Sequence, residues 1–331
     1  MRIAESHPWL EETWSRLLQA RTRDRLPHAL LFEGPDGMGK RWLGRQLARA
    51  LLCRRPEPSG EGCGSCPACW QFDAGSHPDF LELCPEEDKA SIRVDQVRGF
   101  CANLALSAEQ AGGRRVALLH PADAMNLSAA NSLLKTLEEP APGRVILLVT
   151  ERPGGLLPTI RSRCQRIRFT PPVAEAVLDW LMAQTGQPRE DARHLLALVD
   201  GAPLAALALA DADALARREA AFSQWLELAR GRGDPFAVAA DWSGVPEAQA
   251  LHWMAGWLED LVRLALAPGA RVKNAAQRTI LEKMAQHFAP DALLELRGRV
   301  VEAIRLWPSG VNVQLLLEDL LMDWSRLRGK T

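Results

Sequence analysis

Gly34-Pro35-Asp36-Gly37-Met38-Gly39-Lys40-Arg41 is the stretch on which the fold turns. It matches the phosphate-loop pattern G-x-x-x-x-G-K-[ST] at every fixed position except the last. Before it, the apolar run Ala29-Leu30-Leu31-Phe32 predicts a strand; after it, Trp42 to Leu52 predicts a helix, which is the context such a loop requires. Glycines let backbone N–H groups converge on a phosphate at the helix start, while the lysine reaches the terminal phosphoryl oxygens. Gly34, Gly37, Gly39 and Lys40 are therefore the candidate nucleotide contacts. A hydroxyl normally follows the lysine and holds Mg²⁺; Arg41 stands there and is no metal ligand.

A nucleotide hydrolase also needs an acid after a neighbouring strand. The candidate strand Val116-Ala117-Leu118-Leu119 runs into His120-Pro121, with Asp123 displaced beyond it. Two metal-handling positions are thus unsuitable, and no intrinsic ATPase is expected. Lys40 leaves room for residual nucleotide affinity only.

Outward from the loop, apolar segments alternate between strand and helix. Strands are predicted at 80–83, 115–119, 145–149 and 165–169, with helices at 94–104 and 127–138. A first helix is expected at 9–20. Strands apolar on both faces and separated by helices argue for a parallel sheet wrapped in helices, an α/β domain over residues 1–170. Pro171-Pro172 closes it. A small helical piece follows at 171–208, broken at Gly186-Gln187-Pro188 and Asp200-Gly201-Ala202-Pro203. Residues 209–331 read as all-helical, with breaks at 231–235, 268–269 and 308–310.

Residues 53–79 interrupt this alternation. They carry Cys53-x9-Cys63-x2-Cys66-x2-Cys69, four thiols at metal-ligand spacing. A closed set of four thiolates suits tetrahedral, structural Zn²⁺ and leaves no position for a catalytic water; an iron–sulfur cluster is the competing use. The other cysteines, Cys84, Cys101 and Cys164, adjoin apolar stretches and are expected to be buried small hydrophobes.

The chain has 331 residues, 47% hydrophobic and 24% charged, with net charge −1. That balance argues against strong stand-alone nucleic-acid binding, which rests on phosphate neutralisation. No apolar run approaches the roughly 20 residues a membrane helix needs, and the first residues carry charges in place of a signal segment. A soluble, cytoplasmic protein with no membrane partner is expected. Most of the eleven tryptophans fall at apolar helix positions and predict core or interface anchors.

Arg161, Arg163, Arg166 and Arg168 crowd around Ser162-Arg163-Cys164. Charged residues at a strand edge normally deter aggregation. The alternative is that one reaches a phosphate bound by a neighbouring subunit.

Several segments now fall into one order: His28-Ala29-Leu30-Leu31-Phe32, the four-cysteine insert, and His77-Pro78-Asp79. The run Asn131-Ser132-Leu133-Leu134-Lys135-Thr136-Leu137-Glu138-Glu139-Pro140 and Ser162-Arg163-Cys164 complete it. Over roughly the first 170 residues the chain resembles the AAA+ clamp loader subunits of bacterial DNA polymerase III, and among them the delta-prime family. The resemblance implies an AAA+ sheet domain with a zinc insert, a helical lid and a helical collar. It implies a five-subunit ring with motor (gamma/tau) and delta subunits, which loads the sliding clamp on primer-template DNA. In motor subunits a lid arginine in Gly-Ser-x-Arg senses the γ-phosphate; the matching stretch here is Gly201-Ala202-Pro203-Leu204. All three departures point to a non-hydrolysing member, and the resemblance implies that Arg163 of Ser162-Arg163-Cys164 is an arginine finger in trans, with ATP and Mg²⁺ on the neighbouring subunit. An ATP-hydrolysing motor subunit and a zinc-containing DNA-binding protein are the alternatives.

Overall fold

The structure, a computed structural model, describes residues 3–86, 89, 91–108, 113–245, 249–307 and 312–327. The expected break at 308–310 lies outside these. Two short pieces, α1 (Ile3–Ser6) and a 3-10 turn (Pro8–Leu10), precede α2 (Glu11–Thr22) and β1 (Ala29–Glu33). Next come α3 (Lys40–Leu52), α4 (Pro67–Asp73), β2 (Phe80–Leu83), α5 (Val94–Ala105), β3 (Arg115–Leu119) and α6 (Leu127–Glu138). β4 (Arg144–Thr150), α7 (Pro158–Arg163) and β5 (Gln165–Arg168) complete the sheet region. Helices follow: α8 (Ala174–Thr185), α9 (Arg189–Leu198), α10 (Pro203–Leu209), α11 (Ala212–Ala229), α12 (Pro235–Ser243) and α13 (Gln249–Leu266). The last are α14 (Arg278–Ala285), α15 (Pro290–Leu306) and α16 (Val313–Arg326).

The five strands form one parallel sheet in the order β2-β3-β4-β1-β5. Burial follows position. Every residue of β1 and β3 is buried, and so is β4 after Arg144, whereas the edge strands β2 and β5 are half-buried or exposed. This is why the central runs are apolar except at their ends, where Glu33, Arg115, Arg144 and Thr150 stand, and why the edges carry charge. One face meets α5 and α6, with Leu31, Ile146 and Leu148 against Val97, Phe100 and Leu133. The other meets α3, where Gly44 brings the helix so close that an added Cβ would lie 3.1 Å from Leu118 Cδ1.

By contacts the chain divides into two compact units, Met1–Gln184 with Ala202–Ala205, and Thr185–Gly201 with Ala206–Thr331. The second is helical and its core is rich in tryptophan. Trp225, Trp257 and Trp324 are fully buried, and the Trp225 and Trp324 rings stack at 4.2 Å. Asp260, wholly buried there, accepts from the backbone N–H groups of Lys273 and Asn274 at 3.0 and 2.9 Å. Arg218 donates to the Asn274 side chain, so this buried carboxylate belongs to a connected polar network.

Two sequence expectations need correction, and the insert gains detail. The first helix does not begin at Trp9: Pro8–Leu10 forms a 3-10 turn, and Trp9 leaves the helix face to donate its Nε1–H to the Met38 carbonyl at 3.1 Å. The insert that interrupts the alternation is partly regular. It contains α4, with Pro67 at its first position and the Cys66 sulfur accepting from the Cys69 N–H, and such a helix is too short to show a period. Cys84 is exposed, because it follows the last paired residue of the edge strand β2; Cys101 is half-buried and Cys164 buried.

Candidate functional site

Three constellations in the first unit carry candidate chemistry. The phosphate loop links β1 to α3. Gly37 (φ +71°) and Gly39 (φ +81°), the N-cap of α3, occupy the left-handed region that side chains avoid. The glycines of the pattern thus serve backbone shape, as the spacing requires. A segment distant in sequence closes over the loop. The Leu204 N–H donates to the Gly37 carbonyl at 2.9 Å, and a Cβ on Gly37 would lie 2.6 Å from that of Ala205. This is the Gly201-Ala202-Pro203-Leu204 stretch, and it brings apolar side chains to the loop where the resemblance implies an arginine in motor subunits.

Lys40 is buried at 4% exposure and donates its ammonium to the Pro35 carbonyl within the loop. Burial lowers its pKa, against the pull of Glu151, Asp36 and Asp123. Burial, and then Asp36, push the Glu151 carboxyl up to about 7. His7 stacks on Trp42 at 3.9 Å beside Trp9 and Trp180, and burial lowers its pKa to about 4.

The metal-handling positions are occupied by an ion-pair cluster. Arg41 donates Nε and Nη2 to Glu82 Oε1 at 3.2 and 3.1 Å, and Arg45 holds the other Glu82 oxygen. His120, at the acid position, shares a hydrogen bond of 2.9 Å with the same Oε1. Burial works to raise the Glu82 carboxyl, but His120, Arg45 and Arg41 outweigh it and hold it below the usual carboxylate range. Asp123 is equally committed: Oδ1 accepts from the Thr150 hydroxyl at 2.6 Å and Oδ2 from Arg152 Nε at 2.8 Å. Sequence reasoning missed Glu82 and Glu151, whereas the resemblance already singles out the stretch that contains Leu204. Only Glu82 left a trace, as the one charged residue in an apolar strand.

At the far end of α3 lie the four cysteines. Cys53 is its C-cap, and Cys66 and Cys69 flank the start of α4. The Cys53 sulfur lies 3.6 Å from that of Cys63 and 3.9 Å from that of Cys66, and all four sulfurs fall within 4.8 Å of one another. Zn–S bonds of about 2.3 Å in a tetrahedron place sulfurs about 3.8 Å apart, so the set could hold a metal such as zinc. The Cys63 N–H points to Cys53 Sγ at 3.3 Å, and the Ser65 hydroxyl to Cys63 Sγ at 3.6 Å. Both suit sulfurs carrying charge. The insert is anchored to the helices before it: Trp14 Nε1 donates to the Ser59 carbonyl at 3.1 Å and Arg49 pairs with Asp73 at 2.8 Å.

The arginines around Ser162 have separate roles. Arg166 places Nε and Nη2 on the buried Glu33 carboxylate at 2.8–3.0 Å, and Arg168 adds Nε at 3.1 Å. Arg163, the last residue of α7, instead donates Nη1 to the Thr159 carbonyl at 3.0 Å and pairs with Glu138 at the end of α6. Its side chain is 34% exposed and Glu138 47%. The motifs at His28 and Asn131–Pro140 also meet, since His28 Nε2–H donates to the Leu137 carbonyl at 3.1 Å. Asp79 of His77-Pro78-Asp79 lies 3.7 Å from the buried Arg115, which also holds the Pro78 and Ser107 carbonyls.

Comparison with known proteins gives a consistent result. The family model described as DNA polymerase III, delta subunit matches residues 9–173, and the one for its C terminal matches residues 212–326. DNA polymerase III subunit delta' of Pseudomonas aeruginosa is 38% identical over 336 residues, spanning 99% of each chain. The Escherichia coli K12 protein of the same name is 33% identical, over 96% of this chain and 94% of that one. Its Bacillus subtilis 168 namesake is 30% identical over 91% of each. Among the described residues, no single helix is long and apolar enough to cross a membrane.

Proposed function

The chain belongs to the DNA polymerase III delta-prime family, and from that premise we propose that it is the non-hydrolysing subunit of a cytoplasmic clamp loader ring, supplying Arg163 to a neighbour's ATP site. The observation that carries the non-hydrolysing half is the Arg41–Glu82–His120 cluster. A cation entering there would have to displace two guanidinia from Glu82. A dication gains nothing from a site already filled with positive charge. The AAA+ unit, a helical lid and a helical collar that holds the ring together remain the domain scheme we favour. Gly34, Gly37, Gly39 and Lys40 then act as scaffold with residual phosphate affinity. Cys53, Cys63, Cys66 and Cys69 hold a structural zinc whose charge stabilises four adjacent thiolates.

The trans half is supported by what distinguishes Arg163 from its neighbours. Arg166 and Arg168 are fixed on a buried acid, whereas Arg163 ends a helix and pairs with an exposed glutamate. Exchanging a solvated partner for the developing charge of a phosphoryl group costs little, and such a finger can be worth about 10³–10⁵ in rate. Motor and delta subunits, the sliding clamp and primer-template DNA are the partners this role implies. Reconstituting the ring with Arg163→Ala tests it: a ring that assembles should lose DNA-dependent ATPase. An unchanged rate would remove the trans role.

A further inference from the structure

We propose that the open edge of β5 is a docking groove for an extended, acidic peptide segment of a partner protein, which joins the sheet as a sixth strand. Among the described residues, β5 is the last strand of the sheet and pairs only with β1. The Phe169 N–H donates to the Glu33 carbonyl at 2.8 Å, which fixes the phase of the strand. Residues 165, 167 and 169 address β1, and the N–H and C=O groups of Arg166 and Arg168 face outward. Among the described residues, no other element hydrogen-bonds those groups.

Beside this edge lies a cavity of about 480 Å³, walled on its other side by α2. Leu17, Leu30 and Ile167 contribute its apolar lining, while Arg16, Arg166 and Arg168 supply charge, and no acidic side chain lines it. Glu33 neutralises one of the two β5 guanidinia, so together with Arg16 the groove keeps a surplus of positive charge. Edge arginines commonly deter pairing by projecting over the edge. Here Arg166 is drawn back onto Glu33 by two of its nitrogens, which leaves the backbone edge accessible. An edge of alternating donors and acceptors beside apolar pockets and spare cations matches strand addition, in which main-chain bonds give affinity and alternate side chains give selectivity. A nucleic acid strand would use the cations but not the main-chain edge. The groove is independent of the phosphate loop and of Arg163.

The test uses the full chain and a short fluorescein-labelled peptide of alternating valine and glutamate, with an oligothymidylate as the competing probe. The peptide should bind, weaken as salt is raised, and lose about tenfold in affinity with Arg16→Glu, whose side chain, among the described residues, hydrogen-bonds only the Thr13 hydroxyl. Hydrogen exchange should show new protection at the Arg166 and Arg168 amides on binding, a change that simple charge attraction does not give. The proposal is overturned if neither probe binds, if only the oligothymidylate does, or if peptide binding ignores Arg16→Glu or leaves those two amides unprotected.

Discussion

At the N-terminal end of α3, Gly37 and Gly39 keep the backbone of a phosphate loop while Arg41 and His120 replace the groups that would handle a metal. At the C-terminal end, about 20 Å along the same helix, Cys53 belongs to a set in which all four sulfurs are present and within reach of one ion. One site keeps the backbone shape of its pattern but not the residue types of its metal-handling positions; the other has its ligand set whole. The difference lies in what each end is needed for. The loop is packed from above by Leu204 and Ala205 and from the side by His7 and Leu10, so its glycines are required by neighbours whether or not phosphate binds. The insert has almost no core of its own beyond the cysteines, Ala68 and their contacts. In a cluster of that size a bound metal would supply the stability that a hydrophobic core cannot.

The sharpest way to break this contrast is at the thiol end. Cys69→Ser should reduce bound zinc from about one ion per chain to little, and destabilise the first unit by about 4 kcal/mol or more. Elemental analysis with thermal melting checks it; metal-free protein purified without chelator, with an unchanged melt, would contradict it. At the loop end the effect should be smaller and purely steric. Gly37→Ala and Gly75→Ala alter glycines of equal φ, +71°, but Gly37 faces Ala205 whereas nothing lies within 4 Å of Gly75. Denaturant titration should show a cost of about 1–2 kcal/mol at Gly75 and about 1–3 kcal/mol more at Gly37. Equal costs would mean that the segment at 202–205 does not press on the loop.

The smallest effect is in pH. His7 has a folded pKa of about 4 against an ordinary 6.5, so the folded chain favours neutral imidazole. Its contribution is therefore complete above pH 6.5 and is lost as the pH falls from there to about 4. His7→Phe should flatten the stability curve across that window; an unchanged slope would place the acid sensitivity elsewhere, in protonation of the thiolates for example.

The sequence was legible where the signal was local. β1, β3 and β4 follow directly from apolar runs, and the cysteine spacing marks the cluster, because neighbours in the chain are neighbours in space. Glu82 was not legible: it acts on Arg41 from another part of the sequence, and nothing in Phe80–Leu83 announces that partner. The stretch holding Leu204 was legible only through the resemblance, since nothing in Pro203–Leu209 by itself points to the loop. The exposed Cys84 shows the same limit: apolar neighbours in sequence do not bury a residue that follows an edge strand.

The central claim, that this chain's chemistry lies at Arg163 and not at its own loop, meets one direct measurement. The DNA-dependent ATPase of the reconstituted ring would be compared with Lys40→Ala or Arg163→Ala in this subunit. The account predicts a rate within error of wild type for Lys40→Ala and a clear fall for Arg163→Ala, whose missing guanidinium disables the neighbouring site. A ring slowed by Lys40→Ala and indifferent to Arg163→Ala would contradict it.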